Sequence, residues 1–144
     1  MKETDITLVF KHIYNVVRRH GITKVVERLR QLEQSGITQH QLDIVDQIII
    51  EVTKLYGITR TELFEHKKGT VAEARKMCYV VMKETLPLNE TQIGVQFGRT
   101  NRVVYRAIDE YRNMSMSQKF DANWLKKKQI VDTAIKRYIQ DLTA

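Results

Sequence analysis

Three arginines, a threonine, an asparagine and a tyrosine fall within eight residues, at Arg99, Thr100, Asn101, Arg102, Tyr105 and Arg106. A guanidinium presents a rigid fork of N–H donors that matches the two acceptors on a guanine edge, and a carboxamide matches the donor and acceptor of adenine. Carried on one helix face, such a set can read base edges in a major groove. A second basic set precedes it, made of Lys67, Lys68, Arg75, Lys76 and Lys83. Cations of that kind suit phosphates, which supply position and affinity but no sequence information.

The first set needs two short helices to hold it. Residues 89–111, NETQIGVQFGRTNRVVYRAIDEY, read as a helix-turn-helix, with a glycine where the backbone must turn sharply. The spacing predicts a first helix from Asn89 to about Gln96, with Asn89 and Gln92 as a capping box. Gly98 offers the left-handed conformation that favours a helix end, and Thr100 or Asn101 can cap the second helix. That helix would bury Val103, Val104, Ala107, Ile108 and Tyr111. Its opposite face would carry Asn101, Arg102, Tyr105, Arg106, Asp109 and Arg112. A small residue at Gly94, a glycine at Gly98 and a β-branched residue at Val104 let the two helices cross closely.

The rest of the chain reads as further helices. Apolar residues at helical spacing over 6–20 and 23–34, each run ended by a glycine, predict a hairpin whose apolar side needs a partner. That partner is either the rest of the chain or a second copy, so a dimer through residues 6–34 stays open. Thr38 with Gln41 opens a long helix to about Tyr56, burying Leu42, Val45, Ile48, Ile49, Val52, Leu55 and Tyr56. Gly57 ends it, and Thr59 with Glu62 caps the short helix TELFEH. Thr70 with Glu73 opens a helix over 71–85 that buries Ala74, Met77, Cys78, Val81 and Thr85, leaving Arg75, Lys76, Tyr79 and Lys83 to face outward. Leu86-Pro87 breaks it. After NMSMSQ, residues 121–142 predict a terminal helix with Trp124, Val131, Ile135, Tyr138, Ile139 and Leu142 inward. The Lys126-Lys127-Lys128 run on it is most often a solvated face, and here it can extend the basic surface. Two domains are expected, a helical arm over 1–37 and the helix-turn-helix unit over 38–144.

Composition bounds the class. With 144 residues, 42% hydrophobic content, one proline and six glycines, the chain suits an all-α bundle. The lone cysteine excludes an internal disulfide and, with no apolar run near membrane length, fits a reducing cytoplasmic setting. Residues 1–65 carry 9 basic and 9 acidic side chains, whereas 66–128 carry 13 and 6, so the net charge of +7 sits in the middle segment. A segregated excess of that sign is the footprint of a polyanion. Catalytic chemistry has no counterpart: the four histidines are scattered without metal-ligand spacing, no phosphate loop occurs, and Cys78 points inward on its helix. Neither an enzyme nor a cofactor nor a metal is expected.

From Asp46 to Arg112 the order of features resembles the C-terminal DNA-binding domain (domain IV) of DnaA-type bacterial replication initiators, in the Trp-repressor-like helix-turn-helix group. The matching pieces are VTKLYGITRTELF, HKKG, TVAEARKMCYVVMKE, IGVQFGR and VVYRAI, collinear over nearly half the chain. The resemblance implies a recognition helix in the major groove and a basic loop along the backbone. Lys67 and Lys68 match the family's basic loop, Arg75 the arginine of its Pro-Arg-Gln run, Lys83 a basic residue late in the same helix, and Arg99 the arginine opening its signature. Where the family has Arg-Asp-His-Thr-Thr-Val, this chain has Arg99-Thr100-Asn101-Arg102-Val103-Val104, and Gly69 stands where the family places a minor-groove arginine. These departures leave recognition of the initiator's target box open, and its ATPase module has no counterpart in the sequence. The expectation is a double-stranded DNA-binding protein of the nucleoid, serving replication or transcription. The alternative is the same fold docking on an acidic protein partner.

Overall fold

The computed structural model describes residues 36–65 and 67–143. The chain divides into two units, Met1–Gly36 and Ile37–Ala144. The hairpin expected over 6–34, with the dimer it would make, lies outside the described residues. Those in the second unit form an all-α bundle with no strand among them. Its helices are α1 (Gln39–Tyr56), α2 (Arg60–Phe64), α3 (Thr70–Thr85), α4 (Glu90–Gln96), α5 (Asn101–Arg112) and α6 (Lys119–Thr143).

Local chemistry sets most of the boundaries. At the start of α1 the Thr38 hydroxyl accepts from the Gln41 N–H, and the Gln41 side chain accepts from the Thr38 N–H, so two of the end's unpaired donors are satisfied. Thr59 with Glu62 and Asn89 with Gln92 repeat that reciprocal pair for α2 and α4. Gly57 closes α1 at a φ of +65°, a conformation in which a Cβ is strained. The expected Thr70–Glu73 cap does not form. Gly69, at a φ of +72°, turns the chain into α3 one residue early, so Thr70 is already helical and no side chain caps the end.

Helix α3 is the centre of the bundle, packed against each of the other five. A helix enclosed in that way buries more than one stripe. Val71, Ala74, Met77, Cys78, Val80, Val81 and Met82 are all buried. So is Tyr79, only 2% exposed and edge-on to Phe97 with ring centroids 5.0 Å apart, which corrects the outward placement expected for it. Burial pushes the Cys78 thiol far up, out of reach of thiolate chemistry.

Helix α6 starts two residues before the expected position and packs Trp124, Val131 and Ile135 inward. Tyr138 and Ile139 are half-buried and Leu142 is exposed, so packing fades about a turn before the helix ends. The lysine run does not form one solvated face, because three consecutive residues point in three directions around a helix. Lys127 lies over the Tyr56 ring, with Nζ 4.6 Å from its centroid. Lys128 is 5% exposed; its Nζ is 2.5 Å from Glu84 Oε1 and 2.6 Å from Asp132 Oδ2, above the Tyr111 ring. Burial works against that charge, but the two carboxylates outweigh it and hold the ammonium above its usual range.

Candidate nucleic-acid interface

Helices α4 and α5 meet through a turn whose left-handed backbone favours glycine. Gly98 has a φ of +63°; its N–H donates to Val95 O at 3.1 Å, and the Arg99 N–H reaches back to Gly94 O at 2.9 Å. That pair of bonds is a Schellman closure, which satisfies the last carbonyls of α4 while reversing the chain. At Gly94 an added Cβ would lie 2.7 Å from Arg99 O and 3.1 Å from Thr100 O. The entry to α5 therefore rests directly on α4. Thr100 has the extended backbone of a cap residue, but its side chain makes no cap bond. Asn101, the other expected cap, is already helical and donates to Thr91 Oγ1 at 3.4 Å.

This turn sets the rotation of α5. Val104, Ala107 and Ile108 face the core, and Tyr111 is half-buried. Val103 departs from the expected stripe at 39% exposure, since Val104, Ala107 and Ile108 take the core side of α5. Asn101, Arg102, Tyr105, Arg106, Asp109 and Arg112 are exposed together, bringing the expected base-reading side chains other than Arg99 to one surface, with Thr100 at its edge. Near Tyr105 the Glu90 carboxylate pairs with Lys83 Nζ at 3.1 Å. Burial opposes ionisation of Glu90, but a backbone N–H, Lys83 and Tyr105 outweigh it and keep the carboxyl below its usual range. Glu90 had no signal in the sequence beyond its place in the first turn of α4. Arg112 had one, its position on the outer face.

The second basic set divides. Lys68 is exposed, and Lys67 is exposed beside Glu65 at 3.3 Å and Glu62 at 3.8 Å. The three cations of α3 are tied into the fold. Lys76 pairs with Glu110 at 2.9 Å and lies over the Trp124 ring. Lys83 bonds Glu90 and donates to Leu88 O at 3.3 Å. Arg75 donates to three backbone carbonyls, Leu63 O at 3.2 Å, Lys67 O at 2.8 Å and Glu65 O between them. Arg99 reaches the same Glu65 carbonyl at 3.5 Å, so it leaves the α5 surface for the loop. Burial and then the nearby Arg99 charge lower the pKa of Arg75. A central helix has protein on nearly every side, so its charges find partners within the chain.

Arg75 thus pins the loop that presents Lys67 and Lys68. A lysine at that position keeps the charge but has no planar fork to span three acceptors. Arg75→Lys is expected to lose about 1–2 kcal/mol of stability, seen as a lower urea midpoint. An unchanged midpoint would mean the three carbonyls need no common donor.

No helix among the described residues is long and apolar enough to cross a membrane. No protein-family model, curated protein or solved structure matches the chain.

Proposed function

We propose that the chain binds double-stranded DNA without chemistry on it, with α5 in the major groove and the loop at Lys67 and Lys68 along the backbone. The observation that carries this reading is the outward face of α5, where Arg102, Tyr105 and Arg106 stand exposed on a helix locked by the Gly94 contact. Exposed arginines on a fixed helix match guanine edges, and Asn101 on the same face matches adenine. The segregated charge of residues 66–128 and the resemblance to the initiator domain support the same partner and a place on the nucleoid. In this reading Arg75, Lys76 and Lys83 contribute field and scaffold more than direct phosphate contacts, since each is engaged inside the fold.

The test is fluorescence anisotropy of a random duplex and an initiator-box duplex at two salt concentrations. Affinity should fall roughly tenfold or more between 50 and 200 mM salt. Arg102→Ala should relax preference at one base position, whereas Lys68→Ala should weaken all duplexes alike and flatten the salt dependence. Equal losses on every sequence for both variants would refute this division of labour. A second reading, docking of the same arginines on an acidic protein, is favoured by Asn101, Arg102 and Val103, which stand where the initiator signature has His-Thr-Thr. Absence of binding to either duplex at low salt would select it.

A further inference from the structure

Between the start of α3 and α5 lies an open groove of about 450 Å³, within the range of small-ligand sites. Tyr79 lines it, 2% exposed, with a hydroxyl that has no hydrogen-bond partner in the fold. A buried hydroxyl left without a partner destabilises a protein, so one that persists needs a reason. The charges of Arg99 and Arg75 both act on that hydroxyl. All three hydrogen bonds of Arg75 go to carbonyl oxygens, none to a carboxylate, so two guanidinium charges face each other without an anion of the fold on Arg75.

Two further features converge on the same place. Gly69 lines the groove, and the sixteen-residue α3 begins there with no side-chain cap, so its first-turn N–H groups remain available to an acceptor. The opposite wall carries Val103 and Phe120, the latter 55% exposed, which leaves a ring face open beside the cations.

We propose that this groove binds a small phosphate monoester with a planar or apolar body. The phosphate sits against the Tyr79 hydroxyl, Arg75, Arg99 and the start of α3, and the body lies on Val103 and Phe120. The Tyr79 hydroxyl is closed off from solvent, so it is reached only by a group that projects into the groove with a small shift of the side chains over it. A terminal phosphate projects in that way, and a diester within a duplex backbone does not. The site is therefore separate from the outward face of α5, although Arg106 borders both. Nucleotides and sugar phosphates share the phosphate and differ in the body, and the aromatic wall favours a nucleotide.

The experiment is isothermal titration calorimetry of the full chain, without DNA, against AMP, ribose 5-phosphate, adenosine and inorganic phosphate. Saturable one-to-one binding of AMP is expected, at least about tenfold tighter than adenosine or inorganic phosphate, since each lacks half of the recognised chemistry. Tyr79→Phe should weaken AMP about tenfold through loss of one bond to a charged group, while its melting temperature stays level or rises. Phe120→Ala should weaken AMP without changing ribose 5-phosphate. Three results overturn the proposal: no saturable heat with any phosphate at millimolar concentration, equal AMP affinity in Tyr79→Phe and the parent, or a lower melting temperature for Tyr79→Phe. Equal affinity for AMP and ribose 5-phosphate overturns the assignment of Val103 and Phe120. Because no duplex is present and Arg102→Ala leaves this groove intact, failure here is distinguishable from failure of DNA binding.

Discussion

Gly94→Val should cost about 3 kcal/mol or more, at the upper end of overpacking penalties. For a domain of this size that is a fall in melting temperature of roughly 10 °C. The atoms a Cβ would strike are the carbonyl oxygens of Arg99 and Thr100, which are backbone and cannot swing aside as a flexible side chain would. Relief requires α5 to move off α4, which breaks the 2.9 Å bond from the Arg99 N–H to Gly94 O and rotates the face that carries Arg102 and Arg106. Gly94→Ala places the same Cβ but gains about 1 kcal/mol of helix propensity, so it should fall between valine and the parent. Differential scanning calorimetry of the three proteins measures the series. If valine melted within about 2 °C of the parent, the contact would not fix the helix pair.

Lys128→Met should cost about 2 kcal/mol, because it leaves Glu84 and Asp132 facing each other without the cation between them. Both carboxylates are nearly half exposed, so solvent keeps the cost below that of a fully buried pair. The pH dependence has a definite sign. The ammonium is held above its usual range in the folded protein, so its contribution is fully present below the unfolded lysine value of about 10.4 and disappears as pH rises through the higher folded value. The stability difference between parent and Lys128→Met should thus be flat from neutral pH to about pH 10 and then narrow. Urea midpoints at a series of pH values test this. A difference that widened at alkaline pH would mean the lysine is held neutral.

The parts of the fold legible in the sequence were those written in short-range chemistry. Thr38 with Gln41, Thr59 with Glu62 and Asn89 with Gln92 cap helices as their spacing requires, and Gly57 and Gly98 end them with positive φ. The outward set Arg102, Tyr105 and Arg106 was legible for the same reason, since helical periodicity alone separates it from Val104 and Ile108. What periodicity does not carry is the number of neighbours around a helix. Tyr79 reads as an outward residue until α3 is seen to be enclosed, and Lys76 and Lys83 read as free cations until α4, α5 and α6 bring Glu90, Glu110 and Trp124 against them. Lys128 is a further case, because its two carboxylates come from α3 and from one turn along α6. Thr70 failed as a cap because Gly69, whose φ depends on the preceding loop, began the helix first.

The grip of Arg75 on Leu63, Glu65 and Lys67 also bears on how fast the proposed DNA partner would be met. With the Leu63, Glu65 and Lys67 carbonyls drawn to one guanidinium, the proposed DNA partner would meet Lys67 and Lys68 with no ordering of those carbonyls left to make. Under the proposed function, encounter would be governed by diffusion in the field of the positive segment, and ionic strength would act on the rate of arrival.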